Sequence, residues 1–157
     1  MLTNLRLENF ALIERAELEF GPGLTTFTGE TGAGKSILID AISMLLGQNA
    51  GDDLIKTNHD TALVEGVFLL NGTCNPELRD FLTEDQQLIV TRKITRGKGS
   101  SARLNGQTVP LKTLKELMKN LASISGQHEY LALFDSQTQM NLLDSYNPEL
   151  THERGEL

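Results

Sequence analysis

The sequence predicts an α/β fold, and three observations carry that expectation. Gly29-Glu30-Thr31-Gly32-Ala33-Gly34-Lys35-Ser36 matches G-x-x-x-x-G-K-[ST], a loop that joins a strand to a helix. The run Leu24-Thr25-Thr26-Phe27-Thr28 just before it is β-prone, and a helical pattern follows it at once. Further on, three runs rich in Val, Ile and Leu are separated by glycine-containing turns, which predicts a small antiparallel sheet.

Each element has its own local signal. Leu2 to Phe20 alternates in places, with a break around Asn9 to Ala11, and then meets Gly21-Pro22-Gly23, so two strands joined by a bend precede a tight turn. Leu24 to Thr28 reads as a short buried strand. From Lys35, the apolar residues Ile37, Leu38, Ala41, Ile42, Leu45 and Leu46 recur at helical spacing, and Gly47 is placed to end the helix. Ala62 to Leu70 reads as a strand closed by Asn71-Gly72. Pro76 opens a short helix through Phe81, because proline at a first helical position has no donor to lose. Gln87 to Thr95 and Ser101 to Leu104 read as strands joined through Arg96-Gly97-Lys98-Gly99, with Asn105-Gly106 as the next hairpin turn. Pro110 to Leu121 returns to helical period, with Leu111, Leu114, Leu117, Met118 and Leu121 on one face and Lys112, Lys115 and Lys119 on the other. Ala122 to Ser125 is a brief strand candidate, and Ser136-x-x-Gln139 caps a last helix running through Tyr146.

Composition bounds the class of protein. A chain of 157 residues with 39% hydrophobic content has the size of one compact domain or one lobe of a larger one. The net charge of −7, taken as a whole, disfavours a protein that coats nucleic acid. Cys74 is the single cysteine, which excludes an intramolecular disulfide and fits a reducing cytoplasm, and no Cys/His cluster has zinc-site spacing. No apolar run reaches the roughly 18 to 20 residues of a membrane span, so no membrane association is expected.

The loop at 29–36 carries chemistry. Binding a phosphate takes converging backbone N–H groups, glycines that let the chain curl without side chains in the way, and a helix N-terminus that favours negative charge. Gly29, Glu30, Thr31, Gly32, Ala33, Gly34, Lys35, Ser36 and Ile37 form the expected nucleotide-binding set. Lys35 reaches the β- and γ-phosphates as a catalytic cation, and Ser36 offers its hydroxyl to Mg²⁺. Hydrolysis also needs a carboxylate for the metal. Leu131-Ala132-Leu133-Phe134-Asp135 is the one apolar run of that kind outside the loop's own helix, and Ser136 after it favours an ordinary helix entry. Thr57-Asn58-His59-Asp60 lacks the lysine of a guanine-reading motif, which disfavours a small GTPase.

Four stretches resemble the N-terminal head segment of the RecN family, relatives of SMC proteins with ABC-type ATPase heads. They are Leu5 to Glu14, Phe27 to Leu38, Ala102 to Gly106, and Ile124-Ser125-Gly126-Gln127-His128-Glu129. The resemblance implies a P-loop NTPase of the ABC/SMC head type, here its N-terminal lobe, with a mixed sheet, an antiparallel β-subdomain and flanking helices. It implies ATP and Mg²⁺ as cofactors, and Gln127 as the Q-loop residue that touches the Mg²⁺ and the attacking water. It also implies partners: the C-terminal half of the head, a second copy through ATP-sandwiched heads, and DNA. A cytoplasmic, nucleoid-associated protein acting in recombinational repair of double-strand breaks follows from it. Residues 1–146 are the expected lobe and 147–157 the expected start of a coiled-coil arm. The family's signature loop, Walker B acids and switch histidine are not found, so this chain alone is expected to bind nucleotide weakly and to lack significant ATPase activity. Asn49 stands where the family more often has arginine. A complete small P-loop kinase or NTPase using Asp135, and a non-catalytic interaction module, remain as alternatives.

Charge is unevenly placed. Residues 86–115 hold seven of the fourteen cations and none of the twenty-one acids, so this segment carries +7 and the rest of the chain −14. Arg92, Lys93, Arg96, Lys98 and Arg103 on the predicted hairpin are candidate contacts to a DNA phosphate backbone, without base reading. The alternative is a solvated hairpin whose cations pair with the acidic remainder.

Overall fold

Alternation of apolar and polar residues builds the sheet. The computed structural model describes residues 1–28, 33–70, 76–119, 121, 122 and 124. Six strands, β1 (Leu2–Phe10), β2 (Ile13–Glu19), β3 (Thr61–Leu69), β4 (Gln87–Thr95), β5 (Gly99–Leu104) and β6 (Gln107–Val109), lie in the order β2-β1-β3-β4-β5-β6. Every pairing among the described residues is antiparallel. One face carries Leu5, Leu7, Ala62, Val64, Phe68, Leu88, Val90, Ile94, Ala102 and Leu104, all buried. The period-2 pleat of each strand puts these residues on one side.

Two helices cover that face. Helix α1 (Ala33–Leu45) lies against β3 and β4, and α2 (Leu111–Met118) against β5. Ala41, Met44 and Leu45 of α1 and Leu114, Leu117 and Met118 of α2 enter the same core. Burying a side chain of this size contributes about 1.5–3 kcal/mol, so the shared core is the main stabilising term of the unit spanning Met1–Ser123.

The ends of α1 and β5 are set by local chemistry. Gly47 has φ +94°, the Gly47 amide donates to the Met44 carbonyl at 3.2 Å, and the Gln48 amide donates to the Ser43 carbonyl at 3.0 Å. This is a Schellman cap, which satisfies carbonyls that a helix end leaves open. Asn105 and Gly106, at φ +43° and +82°, make the left-handed two-residue turn that matches strand twist. The bend between β1 and β2 is similar in kind: Asn9 and Ala11 both have φ +50°, and the Ala11 amide donates to the Leu54 carbonyl at 2.8 Å.

Two expectations are corrected. Leu24 to Thr28 is not a strand: it joins no ladder among the described residues, and Leu24 is 94% exposed. A β-prone run becomes a strand only when another strand pairs with it, and none of the six does. For the same reason the described sheet is wholly antiparallel rather than mixed. Pro76–Phe81 is helical as expected but wound as a 3-10 helix. The turn at Asn71-Gly72, the helix from Ser136, and the boundary at 146/147 lie outside the described residues, and Ala122 and Ile124 are not in a strand.

Candidate functional site

Helix α1 starts at Ala33, at the end of the glycine-rich loop, so Gly34, Lys35 and Ser36 occupy its first turn. The side chains diverge there: Ile37 is buried in the core, Lys35 is half-buried, and Ser36 is exposed. A Cβ built on Gly34 would meet nothing within 4 Å, so its backbone is open to an approaching group. The first turn holds no acidic residue that would oppose an anion. The first amides of any helix lack intrahelical acceptors. An exposed N-terminal turn with a lysine and a hydroxyl therefore suits a phosphate, and Ser36 can give one oxygen to a divalent cation. Gly29, Glu30, Thr31, Gly32 and Gln127 lie outside the described residues, as do His128 and Asp135. Among the described residues there is no cluster of three or more His, Cys, Asp or Glu.

The basic segment does not form one surface. Arg92 is fully buried, which corrects its reading as a DNA contact. It shares strand parity with Leu88, Val90 and Ile94, so the pleat turns it inward. Its Nη1 donates to the Met44 carbonyl at 2.6 Å and the Gln48 carbonyl at 3.3 Å, and its Nη2 donates to Ser100 Oγ at 3.0 Å. Burial pushes its guanidinium down to about 10. Burial alternates strictly along β4, and the only sequence signal for this role is the shared parity of Arg92 with Leu88, Val90 and Ile94.

The other four cations are exposed. Lys93 and Arg103 lie on the outer face of the sheet, where Thr91 is paired with Arg103 on one side and Glu65 on the other. Arg96 and Lys98 are at the hairpin tip. The tip rests on the segment 52–60: the Gly97 amide donates to Asp52 Oδ2 at 2.9 Å, and Arg96 donates from Nη2 to the His59 carbonyl at 3.1 Å. Two further lysines from the basic segment, Lys112 and Lys115, line a cleft of about 280 Å³ with Gly47, Gln48, Asn49 and Leu111. No helix among the described residues is long and apolar enough to cross a membrane.

The family model for the AAA domain matches residues 4–153. The chain is 38% identical over 152 residues to the DNA repair protein RecN of Bacillus subtilis and 41% identical over 157 residues to that of Synechocystis, in each case over 93% of this chain and 26% of the relative. It thus spans about a quarter of the length of these relatives. Among solved structures, the SMC head domain from Thermotoga maritima superposes with a TM-score of 0.56 at 28% identity, over 73% of this chain and 41% of that one. The Smc head domain of Pyrococcus furiosus, bound to the C-terminal domain of ScpA, gives 0.65 at 23% identity, over 86% and 38%. The recombination mediator RecF with a bound ATP analogue gives 0.60 at 18% identity, over 73% and 29%. The fold is that of an SMC-type ATPase head, and the chain belongs to the AAA domain family, with RecN DNA repair proteins as its sequence relatives.

Proposed function

We propose that this chain is the ATP-binding part of a RecN-like ATPase that acts in recombinational repair of DNA double-strand breaks. The observation that carries the reading is the start of α1: the Gly-Lys-Ser end of the phosphate-loop motif forms an exposed first helical turn. The sequence kinship to RecN supports the repair context.

In this reading each residue has a distinct task. The amides of the first turn donate to phosphate oxygens, and Lys35 adds a cation that balances the β- and γ-phosphates. Ser36 contributes one oxygen to Mg²⁺, which when bound neutralises charge developing on the transferred phosphoryl group. Gln127 orients the attacking water. ATP held between two heads joins them, and hydrolysis lets them part, so that head dimerisation is coupled to DNA binding. The exposed cations Lys93, Arg96, Lys98, Arg103, Lys112 and Lys115 are the proposed sequence-independent contacts to the DNA backbone. Association with the nucleoid follows from that contact.

The test is nucleotide binding and turnover by the full-length gene product. Lys35→Ala should weaken Mg·ATP binding by at least about tenfold and remove turnover, and Gln127→Ala should reduce turnover with less effect on binding. Normal turnover by a folded Lys35→Ala protein overturns the assignment. Robust hydrolysis by the 157-residue chain alone would instead favour a complete small P-loop enzyme.

A further inference from the structure

We infer that Arg92 is a positioning residue for the nucleotide site, fixing the C-terminal end of the helix whose first turn carries Lys35 and Ser36. The inference rests on the nucleotide-binding reading above and adds a residue on a different element, β4, to that site.

Arg92 is the one buried charged side chain among the described residues, and no carboxylate pairs with it there. Its neighbours of equal parity on β4 are all apolar. Filling space alone would be served equally well by Met or Leu, without the cost of burying a charge. What the guanidinium adds is directional. Three hydrogen bonds tie it to two carbonyls at the end of α1 and to Ser100 on β5. A cation there also faces the negative end of the helix dipole. The planar fork fixes direction as well as distance.

Helix α1 has 13 residues, so it is about 20 Å long and moves as one body through its hydrogen-bond ladder. A shift or tilt at the Met44 end therefore reaches Lys35 and Ser36. Misplacing a phosphate-binding group by about 1 Å is enough to change binding and rate markedly. Holding the far end of α1 in register with β4 and β5 is thus a way of holding its first turn.

The experiment compares Arg92→Met, Arg92→Lys and Ser100→Ala with the wild type in the full-length gene product. Mg·nucleotide affinity is read with a fluorescent ATP analogue, next to the melting temperature and the folded fraction by circular dichroism. Arg92→Met should stay folded, with a melting temperature within about 5 °C of wild type, because an apolar side chain replaces a buried charge. Its affinity should nevertheless fall about tenfold, with Arg92→Lys recovering about a third of that loss and Ser100→Ala losing about twofold. Folded Arg92→Met with wild-type affinity overturns the inference, and so does an affinity loss that only tracks the unfolded fraction. Should Arg92→Met fail to fold, wild-type affinity in both Arg92→Lys and Ser100→Ala overturns it equally. A wild type that binds no nucleotide refutes the functional reading itself, an outcome distinct from these.

Discussion

Leu45 of α1 sits directly over Gly66 of β3: a Cβ at position 66 would stand 2.5 Å from Leu45 Cδ1 and 3.3 Å from Phe68 Cε2. The helix approaches the sheet this closely because β3 has no side chain at that point of an otherwise regular apolar row. Gly66→Ala should therefore destabilise by about 1–3 kcal/mol through overpacking. Combining it with Leu45→Ala should give less than the sum of the two single losses, since the methyl enters the space the leucine leaves. Urea unfolding of the four proteins measures that coupling, and strict additivity would contradict the packing described.

Gly47 is under two constraints at once. Its φ of +94° disfavours any L side chain, and a Cβ there would lie 2.7 Å from the Lys115 Cα, a backbone atom that cannot rotate away. Gly47→Ala should cost more than Gly66→Ala, about 2–4 kcal/mol, because it strains the α1 cap and separates α1 from α2 together. A melting temperature unchanged within about 2 °C would refute the close approach.

Part of this architecture was legible because its causes are local. Asn105-Gly106 announces a left-handed turn, and the spacing of Ile37, Ala41 and Leu45 announces a helix face, so both elements are legible from neighbours in sequence. Leu24 to Thr28 reads as a strand on composition alone. Its pairing depends on a distant partner, which no local signal reports. A charge tally groups Arg92 with the exposed cations because it ignores strand parity; the parity that Arg92 shares with Val90 and Ile94 gives the inward direction. The first-turn residues Lys35 and Ser36 stood out through the motif, whereas the cleft beside Lys112 and Lys115 joins segments about 65 residues apart and has no signature in either.

Asn105 does more than permit a turn. Its Oδ1 accepts from the Ile89 amide at 2.8 Å, and its Nδ2 donates to the Gln87 carbonyl at 3.0 Å and to the Phe81 carbonyl. Asn105→Gly should keep the positive φ and lose these bonds, costing about 1–3 kcal/mol. Asn105→Ala should cost more, since it loses the bonds and also strains the backbone. Asn105→Asp turns a donor into an oxygen facing two carbonyls, and should be at least as damaging as Ala. Thermal unfolding of the three variants checks the order, and Ala milder than Gly would contradict it.

The charge on Arg92 makes a pH signature. Burial lowers its pKa from the ordinary arginine range to about 10, so the unfolded chain holds the proton more tightly than the folded one. Below about pH 9 the group is charged in both states and its burial cost is constant. As pH rises through about 10, the folded state loses that cost before the unfolded chain does, and stability rises. The stability of wild type relative to Arg92→Met should thus be flat from about pH 6 to 9 and shift toward wild type by about 1 kcal/mol at pH 11. Comparing the two proteins cancels the titration of the other lysines and arginines. A difference that falls above pH 10 would exclude an unpaired buried guanidinium.

Exposure separates the cations proposed to contact DNA from the buried one. Each cation that neutralises a phosphate of duplex DNA contributes about 0.9 to the slope of log affinity against log salt. Removing Lys93, Lys98, Arg103, Lys112 and Lys115 singly as alanine variants of the full-length gene product should lower that slope by up to about this amount for each true contact. Arg96→Ala should combine a slope change with some loss of stability, because its guanidinium also holds the His59 carbonyl of the segment on which the hairpin tip rests. Arg92→Met should leave the slope unchanged, since a buried guanidinium releases no counterions. No slope change for any of the exposed lysines and arginines would remove these cations as the DNA contact and leave them as solvated side chains, and a reduced slope for Arg92→Met would contradict its burial.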